Sequence, residues 1–209
     1  MNKLLALILA FVSIAIGVFV YQSSFNRPAP EHALYYQQPR TIKPFAMTDH
    51  LGQAFTNQEL MGKWSWVFFG YTSCPDVCPT TMQELNFYYD DFKSVSNNVQ
   101  VLLVSVDPKR DTVEKLAQYV AYFNNEFKGL TADHSVLFPF ARNLGLMYAI
   151  SDDQADDNYL VDHSASIVLI NPQGKVAAIF KPQHELGQLP IIAGQQLVDD
   201  FAKIVQLAD

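Results

Sequence analysis

The apolar residues of this chain fall into three patterns, and the first is a continuous block. From Leu4 to Tyr21 (LLALILAFVSIAIGVFVY) there is no charge, and only Ser13 and Gly17 interrupt the run. Wound as a helix, its 18 residues would reach about 27 Å at ~1.5 Å each, slightly short of the roughly 30 Å hydrocarbon core of a bilayer. The run reads as an uncleaved transmembrane anchor rather than a signal peptide, because its small-x-small triplet, Ala15-Ile16-Gly17, lies inside the apolar stretch. Lys3 keeps residues 1–3 in the cytoplasm by the positive-inside rule, a weak signal because Arg27 follows on the far side. No cysteine follows the run, which excludes lipid attachment there. Residues 22–40 (QSSFNRPAPEHALYYQQPR) hold three prolines and no sustained period, the character of a tether.

Beyond residue 40 the pattern shortens to strand and helix periods. Thr41–Thr56 reads as two short strands around His50-Leu51-Gly52-Gln53, and Asn57–Gly62 as a helical turn closed by Gly62. Trp64–Gly70 (WSWVFFG) and Val99–Val106 (VQVLLVSV) are nearly continuous apolar runs, typical of strands buried on both faces. Between them Pro79 suits the first turn of a helix in which Met82, Leu85, Tyr89, Phe92 and Val95 recur at helical spacing. Asp111 and Glu114 predict a capping box for a helix with the stripe Val113, Leu116, Val120 and Phe123, and Ser135 is expected to cap another that reaches Gly145. Ile167–Ile170 and Val176–Phe180 flank a turn at residues 171–175 as a hairpin, and Ile191–Leu207 closes the chain as an amphipathic helix. Strand, helix, strand, helix, hairpin, helix is the order of a thioredoxin-like α/β domain, a central mixed sheet flanked by helices, occupying residues 41–209.

Composition narrows the chemistry. The 209 residues carry a formal charge of −7 and only two cysteines. The acidic balance, without a Lys/Arg block, argues against nucleic acid as a partner. Two thiols cannot build a disulfide framework, a four-cysteine zinc site or a four-cysteine iron–sulfur cluster. Both lie in Tyr71-Thr72-Ser73-Cys74-Pro75-Asp76-Val77-Cys78-Pro79, between a buried strand and the helix after it. Backbone N–H groups and the dipole at a helix start favour thiolate over thiol, and thiolate is the form that binds metal or attacks disulfides. A structural disulfide or a pair of core cysteines would not need prolines on both sides. Three intervening residues, rather than the two of a dithiol redox motif, give the sulfurs room to open around an ion. Two soft thiolates select copper(I), with neutral imidazole acceptable as a third ligand.

Five histidines could supply that imidazole: His32, His50, His134, His163 and His184. His32 and His50 fall in the tether and a turn, and His134 and His184 in polar loop-like surroundings, so all four are expected to be solvated. His163 stands at the entrance of the strand Ile167–Ile170. Spacing leaves it open between a metal ligand and a hydrogen-bonded structural histidine.

Three segments bear on that choice: GYTSCPDVCPTTM (Gly70–Met82), VSVDPKRDT (Val104–Thr112) and DHSASIVLINPQG (Asp162–Gly174). In order and separation they resemble the signature blocks of the SCO/SenC family. The resemblance implies a membrane-anchored, thioredoxin-like protein that delivers copper, Cu(I) or Cu(II), to the binuclear copper site in cytochrome c oxidase subunit II. For a bacterial chain it further implies an inner-membrane location, with the domain in the periplasm. Carried over residue by residue, it implies Cys74 and Cys78 as metal thiolates and His163 as the third ligand, with Asp107 and Pro108 matching a block near the site. Ser73 stands where many relatives place histidine, so an auxiliary ligand there is missing.

A second class of function uses the same dithiol: Cys74 and Cys78 as a thiol:disulfide oxidoreductase that reduces the cysteines of the copper acceptor. Either role outside the cytoplasm requires a reductant, expected to be another thioredoxin-like protein. A peroxidase lacks its lone peroxidatic cysteine here, and zinc would need a fourth ligand or a water. The acidic stretch Ser151–Asp157 (SDDQADD) is expected to be a solvated loop.

Overall fold

The computed structural model of the chain describes residues 3–25, 28–150, 159–182 and 190–208, without the side chains of residues 3, 6 and 22–25. The first apolar block forms helix α1 (Lys3–Phe25). Among the described residues, however, no helix is long and apolar enough to cross a membrane. Residues 4–21, expected as an anchor, are thus helical, while a crossing of the bilayer finds no support among the described residues.

The next strand, β1 (Ala33–Thr41), begins inside the expected tether. Pro39 spoke against a strand there, yet proline is tolerated at a sheet edge, and the register slips between Tyr35 and Arg40. β2 (Ala46–Asp49) and β3 (Ala54–Thr56) are the predicted pair, followed by a 3₁₀ turn (Asn57–Leu60) capped by Thr56 and Glu59. β4 (Trp64–Gly70) is buried at every position. The helix after it breaks at Tyr88 into α2 (Val77–Phe87) and α3 (Tyr89–Val95). β5 (Val99–Ser105), α4 (Val113–Phe123), β6 (Lys128–Thr131) and α5 (His134–Leu144) follow, α5 ending at Gly145 in the left-handed conformation, φ 83°. The chain closes with β7 (Tyr148–Ile150), β8 (Val161–His163), β9 (Ile167–Ile170), β10 (Lys175–Phe180) and α6 (Gly194–Ala208).

Eight strands form one mixed sheet in the order β1-β10-β9-β4-β5-β6-β2-β3, and β7 pairs with β8 as a separate ribbon. β4, β5 and β6 run parallel, and β9 is antiparallel to β4. Successive β4 side chains point to opposite faces: Trp66 stacks on Phe92 of α3 and meets Phe201 of α6, whereas Phe69 meets Phe140 of α5. Helices thus cover both faces of the central strands, and their near-continuous apolar sequences follow from that double burial.

The helix caps depart from expectation. Thr112, not Asp111, caps α4 by accepting from the Lys115 N–H, and Asp133 rather than Ser135 occupies the cap position of α5. Asp111 is drawn into the site described below. At the start of the domain, the buried carboxylate of Asp200 accepts the backbone N–H groups of Glu31, His32 and Ala33 at 2.8, 2.6 and 2.8 Å. The register sets Ala33 level with Phe180, Ile167 and Phe68. The chain therefore joins the sheet at the end from which the cysteine loop leaves it.

Candidate metal centre

The cysteine loop grows directly out of the core. β4 ends at Gly70, where an added Cβ would sit 3.0 Å from Cys78 Sγ and 3.1 Å from the Leu103 side chain. Glycine at this position lets the sulfur pack against the strand itself, and a Cβ would crowd it. The Cys74 N–H donates to the Tyr71 carbonyl at 3.2 Å, turning the chain back toward α2. Cys78 is the second residue of α2 and Pro79 the third, so the proline sits in the first turn as predicted. Cys78 is fully buried and Cys74 half-buried, and both are free thiols.

The β5–α4 loop braces both halves of the site. Asp111, 1% exposed, accepts from the Thr72 hydroxyl and the Ser105 hydroxyl, both at 2.6 Å, and from the Thr72 N–H at 3.1 Å. This fixes the strand exit two residues before Cys74. Asp107 accepts the Tyr159 hydroxyl at 2.5 Å and pairs with Arg110, whose guanidinium lies 3.7 Å over the Tyr159 ring and 5.5 Å from the Tyr71 ring. Tyr159 in turn stands four residues ahead of His163. The expected capping role of Asp111 lost to this arrangement because a buried carboxylate needs several donors, and Thr72 and Ser105 supply them.

His163 ends β8 and is half-buried. Its ring meets Phe68 and Tyr71 edge-on, each at 5.9 Å, and the Tyr71 hydroxyl accepts the Val161 N–H at 3.3 Å. His163 Nε2 lies 3.2 Å from Cys78 Sγ, and Nδ1 lies 3.3 Å from the Ser164 carbonyl. Ligand atoms of Cys74, Cys78 and His163 fall within 4.8 Å of one another, the one such grouping among the described residues. Two thiolate sulfurs and one imidazole form a soft, low-coordinate donor set suited to copper(I).

The two thiols differ electrostatically. Hydrogen bonding from Cys78, helped by His163 and the N–H groups of Asp76 and Cys78, outweighs burial and brings Cys74 down to about 4. Cys78 moves far the other way, driven first by burial and then by the hydrogen bond and charge of Cys74. The helix start and its hydrogen bonds thus favour the thiolate at Cys74, while burial works against it at Cys78. At Cys78, desolvation opposes the charged form more strongly than a helix terminus favours it.

The remaining histidines do not join the site. His32 is exposed, and His50 accepts the Gly129 N–H at 3.3 Å, which makes it part of a turn rather than solvated. His134, also expected in a solvated loop, opens α5 half-buried with Nδ1 2.9 Å from the Tyr148 hydroxyl. His184 and the acidic stretch 151–157 lie outside the described residues. Sequence reasoning did not find Tyr71, Thr72, Arg110 or Tyr159. The pair of aspartates four apart in VDPKRD was the available signal: Asp107 was matched to a block near the site through resemblance, but Asp111 was read as a helix cap.

A thioredoxin-like α/β domain with two cysteines at the start of a helix and a histidine from an accessory ribbon defines a dithiol–imidazole metal-site protein. The SCO1/SenC family profile matches residues 34–192, and the chain belongs to that family. It is 32% identical over 161 residues to the mitochondrial SCO1 homolog of Homo sapiens, covering 76% of this chain. It spans 54% of that relative's length, about half. The crystal structure of Arabidopsis thaliana ScoI with copper bound superposes with a TM-score of 0.69 at 31% identity, over 78% of this chain and 97% of that one. BsSco, a member of the Sco family of cytochrome c oxidase assembly proteins in which a disulfide switch has been identified, shares the fold at 20% identity and a TM-score of 0.61, over 85% and 98% of the two chains.

Proposed function

We propose that this chain is a copper chaperone for cytochrome c oxidase assembly. Reduced, it takes up copper(I) between Cys74, Cys78 and His163 and passes it to the binuclear copper site of subunit II. The convergence of three soft donor atoms within 4.8 Å carries this reading, and the copper-bound Arabidopsis relative supports it. Three ligands leave copper open to an incoming acceptor thiolate or imidazole, so transfer proceeds by ligand exchange without release of a free ion. Titration of the reduced chain with copper(I) against a competing chelator tests the set. His163→Ala is expected to weaken binding, and full affinity in that variant would remove His163 from the coordination sphere.

The reading includes attachment to a bacterial inner membrane through α1, with the domain in the periplasm. Leu4, Leu7, Phe11, Ile14 and Phe19, spread along α1, are each 65% exposed or more, which supports a lipid neighbour. Carbonate washing of membranes checks this, and release of the chain into the wash would contradict it.

A second reading rests on the unequal placement of the cysteines, Cys74 half-buried in the loop and Cys78 fully buried against β4. The Cys74 thiolate attacks one sulfur of an acceptor disulfide, forming a mixed disulfide and releasing the other acceptor sulfur as a thiolate. Cys78, once deprotonated, then attacks Cys74, leaving a Cys74–Cys78 disulfide and a two-electron-reduced acceptor. A thioredoxin-like reductant restores the dithiol. Cys74→Ser abolishes both activities, whereas His163→Ala spares only this one.

A further inference from the structure

His163 belongs to a two-stranded ribbon outside the main sheet. Such a ribbon is marginal on its own, so the position of the imidazole depends on what the ribbon is docked against. In the β7–β8 ladder Tyr148 stands directly opposite His163, and Ile150 opposite Val161. Side chains of paired residues share a face. Tyr148, Val161 and His163 point inward, with Tyr148 8% and Val161 4% exposed. Met147, Ala149, Leu160 and Asp162 lie on the exposed outer face.

The inward face has two mounts. On the β8 side, Tyr71 accepts the Val161 N–H and packs edge-on against the His163 ring. On the β7 side, Tyr148 lies flat on Phe138 of α5, with centroids 4.5 Å apart and planes within 3°. Its hydroxyl reaches His134 Nδ1 at 2.9 Å, and His134 tilts over Phe138 one helical turn earlier, at 5.4 Å. The first turn of α5 thus presents an aromatic seat, and the residue seated there is the ladder partner of the candidate ligand. Gly145, left-handed at the end of α5, and Leu146, whose N–H donates to the Ala141 carbonyl, make the connection to β7 short and bound at both ends.

We propose that Tyr148 is a positioning residue for His163, and that the seat formed by Phe138 and His134 sets how closely the imidazole approaches the two sulfurs. Tyr148 touches no metal ligand atom in this role and acts through its ladder partner alone. The proposal rests on the copper-binding reading for its effect on affinity, but the placement of the ring can be read without metal.

The test is a thermodynamic cycle on the reduced full-length chain. Copper(I) affinity is measured by chelator competition for the native chain, Tyr148→Ala, His163→Ala and the double variant. Tyr148→Ala is expected to lower affinity about tenfold, the lower end of what loss of a residue orienting a metal ligand costs. On the His163→Ala background it is expected to change nothing, since its effect passes through the missing ring. An equal loss in both backgrounds would overturn the proposal, because Tyr148 would then support the fold or the thiols instead. Tyr148→Phe keeps the stack and should lose less than Tyr148→Ala, and Tyr148→Leu keeps apolar bulk if the alanine variant does not fold. In the metal-free chain, ring nitrogen and proton shifts of His163 should move in Tyr148→Ala or Tyr148→Leu and stay near native in Tyr148→Phe. Unmoved shifts overturn the proposal even if the native chain fails to bind copper, a failure that would count against the chaperone reading instead.

Discussion

The two halves of the candidate site are mounted in different ways. The cysteine half is an extension of the core: it leaves a fully buried central strand, Cys78 packs on that strand at Gly70, and Asp111 clamps Thr72 from beneath. The histidine half is carried on a separate ribbon, held by aromatic contacts and a few hydrogen bonds, Val161 to Tyr71, Tyr148 to His134 and, just ahead of it, Tyr159 to Asp107. A core-mounted dithiol with a separately seated imidazole would suit the proposed chaperone, which holds an ion and then surrenders it. One ligand can open while two keep their place, and local opening concentrates where few buried contacts hold an element.

This contrast can be attacked from both sides by substitution, starting with the brace under the cysteines. Asp111→Ala leaves the Thr72 N–H and two hydroxyls without their buried acceptor and is expected to cost about 3 kcal/mol, read from the urea midpoint. Gly70→Val forces a side chain into the space of Cys78 and Leu103 and is expected to cost about 2 kcal/mol while making Cys78 more reactive to alkylation. His163→Ala, by contrast, should change stability by no more than about 0.5 kcal/mol, as for a site outside the main core. A loss near 2 kcal/mol there would mean that the ribbon is as integral to the fold as the cysteine loop, and the contrast would fail.

Asp200 tests a third mount, the start of the domain. Burial pushes its carboxyl up, but three backbone N–H groups and Lys203 outweigh that and hold it below the usual carboxylate range. A carboxyl lowered in the folded state stabilises the fold above its unfolded value of about 3.9, and that contribution disappears as pH falls through the lower folded value. Asp200→Asn should therefore be about 1 to 2 kcal/mol less stable than native near pH 7, with the gap closing below about pH 4. A gap that is constant with pH would remove the charge from the explanation. The same clamp implies that a soluble form of the domain must begin before Glu31, since starting at Gln37 would delete the front of β1 along with the Asp200 contacts.

Legibility in the sequence followed the same division. β4, β5, the hairpin of β9 and β10, and the placement of Pro79 could be read because each rests on local rules: continuous apolar runs for doubly buried strands and proline for a first helical turn. β1 was missed because its pairing is set by β10, 147 residues away by the register of Ala33 with Phe180, and its proline imitates a linker. The cysteines announced themselves by spacing, whereas His163 could be chosen among five histidines only through resemblance. Nothing local distinguishes an imidazole aimed at a sulfur from one aimed at solvent. Asp111 was misassigned because a carboxylate three residues before Glu114 fits a capping box as well as it fits a buried clamp, and burial is not a property of the local sequence.

The central claim is that Cys74, Cys78 and His163 bind one copper ion together. X-ray absorption at the copper edge of the reduced, copper(I)-loaded chain reads the donors directly. The account predicts two sulfurs and one imidazole nitrogen around the metal, with the imidazole signature lost in His163→Ala. Copper held by sulfur alone in the native chain, or an imidazole signature that survives His163→Ala, would contradict it.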